Sequence, residues 1–197
     1  MYESKIILDS ISPAGVRLTT WSLTYPRFVH AELLTHRMFS RNSSSSRAIP
    51  NEKLRARVVE HPVMPVVWGS NQKGMRAGAE LLPVERIAAE NIWLAARNSA
   101  LEYSEALARL GVHKQLTNRL IEPWMWITTL VTATDFANWF ALRDSEDAQP
   151  EIAKVARMMR EVLEAAPPPR FVDHTQWHLP FAQPGEENEF SIGDRKR

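Results

Sequence analysis

His30-Ala31-Glu32-Leu33-Leu34-Thr35-His36-Arg37-Met38-Phe39-Ser40-Arg41-Asn42-Ser43-Ser44-Ser45-Ser46-Arg47 is the stretch on which the reading of this chain turns. Its first half has helical spacing. Val29, Leu33, Leu34 and Met38 recur on one side, and Pro26 suits a helix start. The spacing predicts a helix over residues 26–39. From Ser40 to Arg47 no residue is apolar, and Pro50 follows, which predicts a polar loop. Arg27, Arg37, Arg41 and Arg47 face one acid, Glu32, a surplus of three positive charges in a chain whose total is +1. Small hydroxyl residues let backbone N–H groups approach an anion closely, and flanking arginines add charge-assisted bonds. That combination suits phosphate. It equally suits a solvated serine linker with its arginines in water, and composition alone leaves both open.

Outward from this stretch the pattern is α+β with helices in the majority. Residues 5–8 and 15–23 read as strands, the second alternating Val16, Leu18 and Thr20 against Arg17, Thr19 and Trp21. A short helix is expected over 52–60, then Pro62 and Pro65 break the chain. Residues 83–110 are strong helix formers with Ile87, Ile92, Ala95, Leu101, Ala106 and Leu110 at helical spacing, and Gly111 is a natural C-cap. Residues 113–121 read as helical, 126–132 as a β-branched strand, and 135–142 and 150–163 as helices. The last carries one stripe of Ile152, Val155, Met159, Val162 and Leu163, closed by Pro167, Pro168 and Pro169. The expected organisation is one domain over 1–170 and an extended tail over 171–197, its end mobile.

Composition bounds the function. The chain has 197 residues, 44% hydrophobic and 24% charged, enough to bury a core without staples. Near-neutral charge argues against non-specific grip on nucleic acid or an anionic membrane. Cysteine is absent, which excludes disulfides, thiolate metal sites and a cysteine nucleophile. The apolar start Ile6-Ile7-Leu8 is too short for a signal peptide, and residues 124–134 make roughly half a bilayer span, so the expectation is a cytoplasmic protein. His174 and His178 sit four apart beside Asp173, but Pro180 and the proline-rich lead-in argue against a helical metal pair. His30, His61 and His113 read as surface or packing residues. Trp124, Trp126 and Trp139 read as core or interface rings rather than platforms for a ligand.

The opening stretch also resembles a family. His36, Arg37, Ser40, Asn42, Ser45 and Arg47 fall in register with the signature of the flavin-dependent thymidylate synthases. The segment from Thr132 to Arg143, leading into Ala148-Gln149-Pro150-Glu151-Ile152, is similar to that family's Leu-Arg and Ala-Gln-x-Glu-Ile elements. Asn118-Arg119-Leu120-Ile121-Glu122-Pro123 resembles its Arg-x-x-Leu-Pro stretch. The resemblance implies a helix-rich fold with a mixed or antiparallel sheet packed against long helices. It implies methylation of dUMP, or a related pyrimidine nucleotide, at C5, with FAD as cofactor and NADPH and methylenetetrahydrofolate as co-substrates. It places flavin near His36, Arg37, Asn42, Asn138 and Arg143. It places nucleotide on Glu32, Ser44, Ser45, Ser46 and Arg47, with Ser45 and Arg47 as the catalytic pair holding phosphate; Arg119 suits either a further phosphate contact or a pair with Glu122, and the sequence leaves both open. It implies a homotetramer. Absence of cysteine excludes the other, unrelated thymidylate synthase, which needs a cysteine nucleophile.

The departures from the family are specific. Thr35 replaces the first arginine of the signature, Ser43 its glutamate and Ala48 its closing tyrosine. Ala153 stands where an arginine often follows Glu-Ile, and Glu32 where many members have glutamine. A carboxylate there changes the donor and acceptor pattern offered to a base. The family's Ala-Arg-Val-Ser-Tyr and Ser-Pro-Phe-Glu-His segments are not found. A second expectation is therefore a non-catalytic homologue that binds nucleotide or flavin, or a subunit completed by a partner chain.

Overall fold

The computed structural model describes residues 1–182. Strand β1 (Glu3–Ile11) and strand β2 (Arg17–Pro26) form an antiparallel hairpin, its turn made by Gly15 at φ 77°. Only glycine takes that φ without a Cβ penalty. β2 then pairs with β4 (Trp126–Ala133), and β4 with the short strand β3 (Ser40–Ser43). On the other side β5 (Arg170–Phe171) adds in parallel to β1. The order is β3-β4-β2-β1-β5, a mixed sheet as expected.

One face of this sheet is the core. Trp21, Leu23 and Tyr25 of β2 and Ile127 and Val131 of β4 are fully or almost fully buried there. They pack against α6 (Pro150–Glu164), whose Ile152, Val155 and Met159 face inward as their spacing predicts. Trp139 of α5 (Ala137–Arg143) joins the same cluster. The direction of β2 corrects the alternation. Val16 is exposed, and the inward set is Trp21, Leu23 and Tyr25. Aromatic area outweighs one valine in deciding which face is buried.

A second cluster joins α2 (Asn51–Glu60) to α3 (Pro83–Arg109) through Leu54, Val58, Leu101, Ile121 and Trp124. After α3, α4 (Lys114–Thr117) and a tighter 3-10 turn over Asn118–Trp124 replace the single helix expected there. Pro123 cannot continue an α-helix. Among the described residues no helix is long and apolar enough to cross a membrane.

The opening stretch folds differently from its periodicity. A 3-10 turn over Arg27–Val29 runs into α1 (His30–Leu34), and the helix stops there. Thr35 donates its hydroxyl to Glu32 O at 2.7 Å, a local bond that competes with the helical ladder. Residues 40–43 then form strand β3 rather than a loop. Backbone pairing to β4 supplies the bonds, so an exposed edge strand needs no apolar alternation. Beyond β5, residues 172–182 run back over the sheet. There His178 sits 2.7 Å from Ser10 Oγ and 2.8 Å from Thr20 Oγ1. Residues 183–197, including the whole of the mobile end expected over 186–197, lie outside the described residues.

Candidate nucleotide site

Two clusters grow from the opening stretch, one on each side of β3. The first is built on α1 and α5. Arg143, at the end of α5, donates Nη1–H to Glu32 Oε2 at 2.9 Å and Nε–H to His36 Nε2 at 3.1 Å. Its Nη2 reaches Thr35 Oγ1 at 3.3 Å. The guanidinium is thus satisfied by three residues of one turn. His36 is buried, stacked on Phe39 and edge-on to Trp139. Burial pushes its pKa down, and Arg143 and Arg41 push it further. A neutral ring that accepts at Nε2 carries its proton on Nδ1. Burial raises Glu32, although Arg143 opposes the rise. Arg41 Nη1 donates to His36 O and Phe39 O and fixes the turn from behind.

The second cluster is the serine turn. Ser44 leaves β3 by donating its N–H to Thr128 O at 2.9 Å. Ser46 is buried and its carbonyl accepts from Asn118 Nδ2 at 2.8 Å. Asn118 also donates to Ile49 O and accepts from Asn51 Nδ2 at 2.8 Å. Asn51 Nδ2 lies equally close to Ser104 Oγ, which itself donates to Thr117 O. This buried amide network holds the turn as a formed structure, which decides against a flexible linker. The side chains of Ser45 and Arg47 project outward and have no hydrogen bond or ion pair among the described residues. Ser44 and Ser46 line a cavity of about 380 Å³ together with Arg57, Trp124 and Trp126.

The remaining expected residues divide. Arg37, Asn42 and Asn138 are exposed. Arg119 is not brought to the serine turn. It donates to Glu122 Oε1 at 2.7 Å, an oxygen that also pairs with Arg27 at 2.9 Å. Arg27 lines both the serine cavity and a neighbouring cleft of about 480 Å³ that holds Arg119 and His30. Ala153 of α6 is buried and lines a cleft with Val66, Val67, Glu146 and Arg157, away from the serine turn's cavity.

Several contributors are not visible as motifs. Asn118 and Asn51 read as ordinary polar residues until burial shows them to be the clamp. Ser43, at the family's glutamate position, joins a chain of hydroxyls inside the sheet. Its Oγ lies 3.0 Å from Thr129 Oγ1, which lies 2.9 Å from Tyr25 Oη, which lies 2.7 Å from His30 Nδ1. Burial pushes Tyr25 up to about 12 and His30 down. His30 is therefore the end of a buried chain rather than a plain surface residue. Trp139 and Trp124 are buried, as read from sequence, and Trp126 packs edge-on to Tyr2. Among the described residues no cluster of potential metal ligands exists, and the hydroxyl bonds of His178 account for both its ring nitrogens.

The signature turn, the Leu-Arg segment and α6 thus follow one another in the expected chain order, and the sequence model of the thymidylate synthase complementing proteins matches residues 11–168. The chain belongs to the thymidylate synthase complementing protein family. No curated protein matches it. Among solved structures it is similar to a UMP/dUMP methylase, PolB from Streptomyces cacaoi. Bound with 5-Br UMP, that methylase aligns at a TM-score of 0.63 and 14% identity, over 84% of this chain and 89% of that one. Bound with 5-Br dUMP, it aligns at a TM-score of 0.58 and 17% identity, over 76% of this chain and 66% of that one. At this identity the likeness is one of fold, and it agrees with the helix-rich α+β reading.

Proposed function

We propose that this family member is a pyrimidine-nucleotide methyltransferase of the thymidylate synthase type, acting at C5 of dUMP or a related nucleotide. The observation that carries the reading is the serine turn. Ser45 and Arg47 stand unpaired on a backbone clamped by Asn118, and their sequence neighbours Ser44 and Ser46 line a cavity. Hydroxyls and a free guanidinium on a rigid turn match a phosphate, because little ordering remains to be lost on binding. Nucleotide recognition by the UMP/dUMP methylase of similar fold supports the same substrate class. Arg119 contributes through Arg27 and Glu122 at the adjoining cleft. Orienting the nucleotide and excluding water from its ring are the tasks these residues can perform.

For FAD the donor set fits in part. Arg37, Asn42 and Asn138 are exposed donors that would hold it, whereas His36 and Arg143 are engaged with Glu32 and act as their support. When bound, the flavin would supply the redox step, with NADPH as reductant and methylenetetrahydrofolate as carbon donor. We read the active form as a cytoplasmic homotetramer. The Glu32–Arg143 pair favours one alternative, a homologue that binds nucleotide or flavin without turnover, alone or with a partner chain. Its carboxylate occupies the arginine that an anion would use.

Calorimetry with dUMP, UMP and dCMP, beside release of tritium from C5 with FAD, NADPH and methylenetetrahydrofolate present, tests the reading. Nucleotide binding with tritium release supports the enzyme. Binding without release selects the alternative. Absence of binding to all three nucleotides overturns both.

A further inference from the structure

A chain of hydroxyls crosses three strands, from Ser43 of β3 through Thr129 of β4 and Tyr25 of β2, to His30 of α1. Its links measure 3.0, 2.9 and 2.7 Å. Tyr25 and Thr129 are fully buried, so water cannot enter the chain between its ends. Each link can run in either sense, because a hydroxyl both donates and accepts and the imidazole changes tautomer. The ends differ from the middle. Ser43 is half-buried at the edge of the sheet. His30 is half-buried too, and lines the cleft of about 480 Å³ with Arg27, Arg119 and Glu122. Its ring stacks on Tyr25 with centroids 6.0 Å apart, which fixes its orientation. His30 Nε2 has no hydrogen-bond partner among the described residues.

Methylation at C5 sets a requirement that this chain meets. C5 gains a bond to carbon and loses its hydrogen as a proton, and the electron pair of the C5–H bond returns to the pyrimidine ring. Carbon comes from methylenetetrahydrofolate and reducing equivalents from NADPH. In an enclosed site the proton needs an acceptor. We propose that His30 accepts this proton at Nε2 and that Tyr25, Thr129 and Ser43 carry a proton onward to solvent. The inference rests on the nucleotide reading of the serine turn and the Arg27 cleft. One N–H bond forms at Nε2 and one breaks at Nδ1. Each hydroxyl gains one hydrogen and passes on its own, and Ser43 releases a proton to water. The ring regains its first tautomer by exchange with water once the cleft is empty.

The charges around the ring set when it acts. Arg27 and Arg119 share Glu122, which leaves the cleft one positive charge in excess, and Arg41 of β3 adds to it. Burial and these guanidinia hold the empty ring neutral, able to accept. A nucleotide phosphate offsets them, so bound substrate raises the proton affinity of His30. Burial pushes Tyr25 up to about 12, so it relays as a hydroxyl and not as a phenolate.

Thr129→Val removes one hydroxyl at nearly constant shape, and Thr129→Ser keeps it. Tritium release from C5 of dUMP, with FAD, NADPH and methylenetetrahydrofolate present, should fall about 10-fold in Thr129→Val and about 100-fold in His30→Asn. Thr129→Ser should recover most of that loss, and calorimetry should find dUMP affinity in Thr129→Val within about 2-fold of native. Native release should decline as pH falls below about 6.5, where His30 becomes charged, and His30→Asn should lose that inflection. Nitrogen-15 spectra of the imidazoles read the chain without turnover. Thr129→Val should shift His30 Nδ1 in the free protein, and dUMP should raise the pKa of His30. A His30 resonance indifferent to both overturns the relay, as does native-like release by His30→Asn or an equal loss in Thr129→Ser and Thr129→Val. Binding of dUMP without release by the native chain also overturns the relay and leaves the nucleotide site standing. Absence of dUMP binding is a separate failure, which overturns the proposed function and the relay with it.

Discussion

Arg143 and Glu32, 111 residues apart in the chain, form an ion pair at 2.9 Å in which both side chains are mostly shielded from water. Together with His36 and Thr35 the pair closes the guanidinium off from other anions. Glu32→Gln removes the competing carboxylate and frees Arg143. The expected outcome is nucleotide or FAD affinity raised about 10-fold, roughly the worth of one charge-assisted bond, read by titration calorimetry. Unchanged affinity for both ligands would show that Arg143 is structural only.

The serine turn separates rigidity from recognition. Asn118→Ala breaks a buried network that holds Ser46 O and Ile49 O, so unfolding in urea should show a loss of about 2–3 kcal/mol, with weakened nucleotide binding.

Arg47→Ala touches no partner within the described residues. Stability should stay within about 0.5 kcal/mol of the native chain while nucleotide affinity falls about 10-fold or more. Equal losses of stability in the two variants would contradict the division between clamp and contact.

Acid should destabilise the fold through three histidines. Burial lowers His30, His36 and His178 below their ordinary value. A depressed pKa gives stability that is present above the unfolded value near 6.5 and is lost as pH falls toward the folded value. Tm should therefore drop between pH 7 and 5. His36→Gln should lower Tm at neutral pH and flatten that slope, as measured by differential scanning calorimetry. A slope unchanged by substitution at any of the three would remove them as its cause.

The position of Ala153 can be tested by restoring the residue many relatives carry. Ala153 is buried on the wall of a cleft it shares with Val66 and Val67, so Ala153→Arg crowds that wall and should cost about 1–3 kcal/mol in urea unfolding. A stable variant with improved nucleotide binding would instead show that α6 can yield at this point.

Much of this protein is decided by local pattern. The stripe on α6, the helix-forming run of α3, the β-branched run of β4 and the glycine turn between β1 and β2 follow from side-chain period and backbone freedom, which act over a few residues, although Ile87, Ile92 and Leu110 of α3 are exposed rather than packed. The signature turn was legible as a phosphate-suited composition for the same reason. What the sequence could not settle depended on partners far away. Thr35 and the pairing to β4 stop α1 and turn residues 40–43 into a strand, against their helical and loop appearance. Asn118, 72 residues from Ser46, converts a serine run into a rigid turn. Glu32 and Arg143, each unremarkable alone, become a closed pair only when α1 meets α5. Burial and long-range hydrogen bonding are properties of the packed chain, so these roles emerge with the tertiary structure and not before it.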